Sequence, residues 1–232
     1  MAITRGRLIV TATPIGNLED ITFRALRVLQ EADLIAAEDT RVTRKLLSRY
    51  EIKTRMVSLY EQNERGRIPE LIAKIEAGQT IAQVSDAGTP GISDPGYRLI
   101  KACLDAGVDV EVVPGPTASI TALVASGLPT DRFLFLGFPP PKTVGRRKWL
   151  GEVAEERGTL VMYESPHRVK QTLADIAEVL GDRPVALARE MTKMFEETIR
   201  GTAGEILDKL GDKNVKGEIV LVVGGKTRKS KR

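Results

Sequence analysis

Apolar positions along this chain recur in two alternating rhythms. Short runs rich in β-branched residues read as strands, and the stretches between them carry apolar residues three or four apart, as helices do. The run RLIVTAT (residues 7–13) predicts a first strand; after the turn PIGN, residues 20–30 place Ile21, Leu26 and Leu29 near helical spacing. DLIAAED predicts a second strand, residues 43–50 a helix, TRMVSLY a third strand, and residues 68–77 a helix that Gly78 ends. TIAQVS predicts a fourth strand, residues 97–106 a helix closed by Gly107, and VDVEVVP a fifth strand. Such alternation predicts an α/β domain with a mostly parallel sheet between helices, over residues 1–117.

The same alternation continues in different phrasing. PTASITALVASG predicts a helix, FLFLGF a strand, RRKWLGEVAEE a helix, GTLVMYES a strand, HRVKQTLADIAEVLG a helix, PVALARE a strand and GEIVLVVGG the last strand. With no internal repeat, a second α/β domain over residues 118–225 is the economical reading, followed by a basic tail, 226–232, expected to be flexible. FPPPKTVGRRK is the most loop-like stretch, fitting either an exposed arm or a plain surface loop.

Composition narrows the class. With 42% hydrophobic and 28% charged residues, and no apolar run of membrane-spanning length, the chain reads as soluble and globular. MAITRGRLIV enters a strand-like run without a signal-peptide pattern, so a cytoplasmic location is expected. Cys103 is the single cysteine and lies in a helical stretch, which excludes an internal disulfide or a thiolate metal cluster and predicts a buried, reduced thiol. The net charge of +4 comes from the tail, where Lys226, Arg228, Lys229, Lys231 and Arg232 stand without an acid, so the body is nearly neutral. Any attraction for a polyanion then rests on arrangement: the tail, and a cluster at Lys142, Arg146, Arg147 and Lys148. Solvated surface charge is the competing reading.

Candidate chemistry centres on SDAGTPGISDPG, residues 85–96, which leaves a predicted strand and enters a predicted helix. Open parallel sheets bind ligands at the carboxyl ends of their strands. Gly88, Gly91 and Gly96 permit positive φ and close approach to the main chain, while Pro90 and Pro95 limit the loop's freedom. A turn-rich connector, with Asp94 capping the next helix and Pro95 in its first turn, remains the alternative. Two nucleotide motifs are excluded by spacing. GGKT at residues 224–227 lacks the glycine a phosphate loop needs at position 220, and TPIGN supplies only Gly16 where a dinucleotide fingerprint needs three.

Six ordered pieces, TPIGNLEDITFRAL, AEDTR, SDAGTPGISDPG, VPGPTASITAL, YESPHR and REMTK, span nearly the whole chain. Together they resemble the ribosomal RNA small-subunit methyltransferase I family, a branch of the tetrapyrrole methylase superfamily. The resemblance implies S-adenosylmethionine as methyl donor and the ribose 2′-hydroxyl of a cytidine in the decoding region of 16S rRNA as acceptor, on naked rRNA or the assembled small subunit. It also implies a homodimer, and two α/β domains with the donor between them, the second with a mixed sheet. By the same resemblance the donor lies against Pro14, Asp86, Ala87, Gly88, Ile92, Thr117 and Ala118, with Tyr163 and Ala188 on the adenine side. LYEQNE departs from the pattern where Gln62 replaces an expected histidine, which leaves that position without an assigned role.

Methyl transfer is an in-line displacement, so the protein must hold the ribose oxygen behind the methyl carbon and relieve it of a proton. Glu38, Asp39 and Arg41 fall at one strand end; Glu164, His167, Arg168, Arg189, Glu190 and Lys193 fall at two others. Glu38, Glu190 and Lys193 are the catalytic candidates. Arg41, Lys142, Arg146, Arg147, Lys148, His167, Arg168 and Arg189 are the RNA-binding ones. Bland readings stand beside these: Asp86 in an Asx-turn, Ser165 and Pro166 as a helix start, and Arg189, Glu190 and Lys193 as an ion-pair group. A methylase of a corrin-type macrocycle would share the donor pocket but wants an apolar cleft, whereas EDTR, YESPHR and REMTK are charged and aromatics make up 4%. A non-enzymatic RNA-binding module would leave the glycine loop unexplained.

Overall fold

The computed structural model describes residues 6–227, so the tail from Arg228 onward lies outside the described residues. The chain forms two compact units that meet in sequence between Thr117 and Ala118. None of the described helices is long and apolar enough to cross a membrane.

The first unit contains β1 (Arg7–Thr11), α1 (Phe23–Glu31), β2 (Leu34–Ala37), α2 (Thr40–Arg49), β3 (Met56–Ser58), α3 (Glu64–Glu76), β4 (Thr80–Val84), α4 (Tyr97–Asp105) and β5 (Asp109–Val113). Its five strands are all parallel, in the order β3-β2-β4-β1-β5. Successive strand residues face opposite ways, which is why RLIVT reads as a continuous apolar run: both faces are covered. Ile9 packs with Ala25 and Leu29 of α1 and Leu46 and Leu47 of α2. Its neighbours Leu8 and Val10 pack with Leu71 and Ile75 of α3 and Leu99 and Cys103 of α4. Burial of Cys103 raises its thiol pKa to about 11, so it stays protonated.

The second unit contains α5 (Ala118–Ser126), β6 (Phe133–Phe135), α6 (Thr143–Glu152), β7 (Thr159–Glu164), α7 (Val169–Leu180), β8 (Pro184–Arg189), β9 (Glu197–Thr202), α8 (Ala203–Leu210) and β10 (Ile219–Val223). Its sheet, ordered β6-β7-β10-β8-β9, is mixed: β6 runs parallel to β7, while β10 is antiparallel to both β7 and β8. The strands β6, β7 and β8 therefore end at the same edge. Leu150, Leu173 and Ile206, from α6, α7 and α8, cover one face, and Ala122 and Leu123 of α5 cover the other.

The sequence pattern does not predict β9 or α8. Thr202 and Glu205 nonetheless form a reciprocal capping box at the start of α8, a T-x-x-E signature readable in the chain. The helix expected from residue 68 begins at Glu64 and carries Pro69 inside it.

Candidate active site

In the first unit, backbone hydrogen bonds tie the ends of β1 and β4 together just beyond the sheet. Thr13 N–H donates to the Gly88 carbonyl at 2.8 Å, and Gly88 N–H donates back to Thr13 at 3.0 Å. The Thr13 hydroxyl donates to the Ser85 carbonyl at 3.1 Å. Gly88 holds φ of +76°, which a side chain disfavours, although an added Cβ would meet only ordinary contacts, 3.6 Å from Ile15 and 3.8 Å from the Pro116 carbonyl. This exchange sets buried Pro14 beside the glycine loop, and the Pro116 carbonyl, next to Thr117, faces Gly88 from the turn after β5.

The end of β2 joins the same edge through its acids. Asp86 N–H donates to Glu38 Oε2 at 3.2 Å, and Asp39 N–H donates to Asp86 Oδ1 at 3.0 Å. Asp39 also caps α2, accepting from the Arg41 backbone and guanidinium, and that pairing holds its pKa down at about 2. Arg41 itself is almost wholly exposed. The remaining acids are pushed the other way. Burial, followed by repulsion from Asp86, raises Glu38. Burial, with Asp39 adding to it, raises Asp86. Asp94 rises to about 7, from burial first and Glu38 second.

This set fits the donor that the sequence resemblance implies. The donor carries a sulfonium and an ammonium against a single carboxylate, and three carboxyls of raised pKa gathered beside a backbone-lined loop lack just such positive charge. Ile92 is about half exposed on the same loop, and Ala87 is partly exposed.

Two buried polar groups missing from the sequence reading lie against the end of the loop. Glu64 on α3 accepts N–H groups of Gly96 and Leu99 at 3.1 and 3.4 Å, capping α4 from a distant helix. Asp94 does not cap α4: the N-cap is Gly96, which has no side chain to offer. The buried amide of Gln83 lies against Gly96, where a Cβ would fall 1.7 Å from its Nε2. The only cue to Glu64 in the sequence is its place at the end of LYEQNE; Gln62 of that motif is exposed.

In the second unit, the ends of β7 and β8 carry the remaining candidates. Tyr163 stands edge-on to Phe135 and tilted against Phe138. Glu164 is buried, not at a cleft edge; it accepts from the Ser165 backbone, the Arg168 guanidinium and the Thr172 hydroxyl, and so anchors the start of α7. Ser165 Oγ accepts the His167 N–H, but α7 itself starts later, at Val169, and the His167 side chain is exposed. Glu190, at φ of +51°, accepts from Glu218 N–H and Lys193 Nζ, and these bonds lower its pKa. Burial works to lower Lys193, but Glu190 and Glu218 outweigh it and raise its pKa. Arg189 pairs with Glu197 at 2.7 Å.

Two assignments need correction. Arg146 is fully buried rather than an exposed RNA contact, with its guanidinium 2.6 Å from Asp175 and donating to the Pro141 carbonyl at 3.2 Å. It faces inward because α6 packs on α7, where Asp175 is also buried. Ala188 is likewise fully buried: β8 is an inner strand, its backbone engaged by β10 and β9, and its methyl packs under α5, so no atom is free for an adenine. Of the basic cluster, Lys142 and Lys148 are exposed, and Arg147 is partly exposed but paired with Asp175 and Glu178.

Residues 7–207 match the family described as Tetrapyrrole (Corrin/Porphyrin) Methylases. The chain is 51% identical to the ribosomal RNA small subunit methyltransferase I of Escherichia coli O157:H7, over 96% of this chain and 79% of that protein. It is 50% identical to the protein of the same name from Halalkalibacterium halodurans, over 97% of this chain and 78% of that one. Among solved structures, uroporphyrin-III-C-methyltransferase from Thermus thermophilus superposes with a TM-score of 0.65 at 26% identity, over 95% and 94% of the two chains. A charged rim on the tetrapyrrole methylase fold, joined to half-identity over almost every residue, decides the branch: the chain belongs to the ribosomal RNA small subunit methyltransferase I family.

Proposed function

We propose that this chain transfers the methyl group of S-adenosylmethionine to the ribose 2′-hydroxyl of a cytidine in the decoding region of small-subunit (16S) rRNA. The observation that carries the reading is the cluster of Glu38, Asp86 and Asp94, carboxyls of raised pKa around a glycine loop that offers bare backbone. When bound, the donor supplies an electrophilic methyl on a sulfonium. Asp86 and the main chain of Ala87, Gly88 and Ile92 hold it, with Pro14 and Thr117 beside them.

The chain's own work is to orient the ribose and accept its proton. Glu38 suits proton acceptance better than Glu190. Its raised pKa makes it the stronger base, whereas Glu190 is stabilised in its charged form by Glu218 N–H and Lys193. Glu190 instead fixes Lys193, a cation for the substrate's phosphates, and Arg41, Lys142, Arg147, Lys148, His167, Arg168 and Arg189 add to RNA binding. The enzyme acts in the cytoplasm as a homodimer, on rRNA or the assembled subunit.

Mass spectrometry of small-subunit rRNA fragments, after incubation with the protein and isotopically labelled donor, tests this. A methylated cytidine ribose is expected; label on a base, or on no fragment, overturns it. A bound pigment absorbing in the visible would favour a macrocycle instead.

A further inference from the structure

The loop joining β6 to α6 presents an aromatic ring to solvent and is built to keep it there. Phe138 is 54% exposed. Behind it stands Tyr163, at 5.5 Å between ring centroids, and Tyr163 is in turn braced by the edge of Phe135 at 5.1 Å. The base of this stack is part of the sheet, since Tyr163 N–H donates to the Gly137 carbonyl at 2.9 Å. On its other side Phe138 runs into three prolines, Pro139 to Pro141, and the buried guanidinium of Arg146 donates to the carbonyls of the last two. An apolar ring of this size gains nothing from water, and prolines clamped from inside leave the loop little freedom to fold it away. Immediately beyond the prolines Lys142 is exposed and has no ion-pair partner among the described residues, and the same holds for Lys148 one turn and a half along α6.

We propose that Phe138, backed by Tyr163, is a stacking platform for an unpaired base of the RNA substrate, with Lys142 beside it for the adjoining phosphate. The inference rests on the rRNA reading above and deepens it. Flat aromatic faces next to unpaired cations are what single-stranded RNA binds, because every base has a π-face and every nucleotide a charge. The rigid loop adds preorganisation: the ring is ordered before RNA arrives, so binding loses less side-chain freedom. Arg146 thus serves RNA binding from inside, as the clamp of the arm that displays Phe138.

The test uses the full chain with a decoding-region rRNA fragment carrying 2-aminopurine, whose fluorescence is quenched when it stacks on a ring, and with unlabelled fragment for turnover. Phe138→Ala is expected to weaken fragment binding about tenfold and abolish the quenching, raising KM for RNA while leaving kcat and donor affinity near wild type. Phe138→Trp restores both, and Phe138→Leu does not. Unchanged RNA affinity in Phe138→Ala overturns the proposal, as does full rescue by leucine, which would mark a merely apolar contact. Loss of donor affinity instead assigns the ring to the donor's adenine, and a changed sedimentation coefficient assigns it to a second copy of the chain; either outcome also overturns it. Binding and quenching are read without turnover, so a wild-type protein that binds the fragment but does not methylate it would defeat the proposed function alone.

Discussion

Glu64 accepts the backbone N–H of Gly96 at 3.1 Å, though thirty-two positions separate them in the chain. One buried carboxylate on α3 thereby fixes where the glycine loop ends and α4 begins. Replacing it by alanine leaves the N–H groups of Gly96 and Leu99 without an acceptor, at a cost of about 1–3 kcal/mol. Glu64→Ala is expected to lower the thermal midpoint and weaken donor binding together, and Glu64→Gln, which keeps an acceptor oxygen, to recover most of both. Calorimetry that found full donor affinity in a destabilised Glu64→Ala protein would separate the cap from the loop's function.

Arg146 and Lys142 are four positions apart and have opposite duties. Removing the guanidinium strands Asp175 as a buried charge without its main partner, which costs on the order of 3–5 kcal/mol. Arg146→Ala is therefore expected to shift the urea midpoint markedly, before any question of RNA arises. The double variant Lys142→Gln, Lys148→Gln should leave stability within about 0.5 kcal/mol of wild type. It should also flatten the dependence of log affinity on log salt by about 1 per lysine. An unaltered salt slope would remove both lysines from the RNA surface.

These two residues also show what a sequence discloses. The strand and helix rhythm comes from alternation and three-to-four spacing, which are local properties, and it places the parallel sheet and the glycine loop correctly. Arg146 looks like its neighbours in RRK because its burial depends on Asp175, a helix away. Glu64 is silent for the same reason, since its partner Gly96 belongs to another element. The stretch that becomes β9 is polar and charged apart from Ile199, and β9 is an edge strand whose hydrogen bonds to β8 alone define it, whereas α8 carries Ala203, Ile206 and Leu210 at helical spacing behind its capping box, so its signal does stand in the sequence. Asp94, a helix cap only in the alternative reading of the sequence, owes its raised pKa to burial first and then to the carboxyl of Glu38, which the sheet brings from the end of β2.

Asp86 links two strand ends, and the proposed donor site lies beside Gly88. Asp86→Ala removes the acceptor of the Asp39 N–H and a charge complementary to the donor, and is expected to weaken donor binding about tenfold or more with a small change in stability. Gly88→Val forces a β-branched side chain to adopt φ of +76°, costing on the order of 1–3 kcal/mol and crowding the backbone at the proposed donor site. Turnover retained by Gly88→Val would contradict the placement of the donor at this loop. Titration calorimetry on the first variant and single-turnover methylation on the second are the measurements.

Through Asp94, donor binding at the proposed site is expected to depend on pH. Its folded pKa, about 7, lies above the ordinary 3.8, because burial and then Glu38 disfavour its charge. A raised folded value means that the native protein binds this proton more tightly than the unfolded chain. The stabilising share of Asp94 is then complete below about pH 4 and is lost as pH rises through 7. Ligand binding has the opposite sense: a donor bearing sulfonium and ammonium favours the ionised carboxyl, so it binds better as pH rises through the same range, and near pH 7 its binding expels a proton. Calorimetric titrations in buffers of different ionisation enthalpy should show that release in the wild type, together with a donor Kd that falls from pH 6 to 8 and then levels off. Asp94→Asn should abolish most of the proton release and flatten the profile. Proton release that persists unchanged in Asp94→Asn would move the titrating group to Glu38 or Asp86, the two other carboxyls raised by burial.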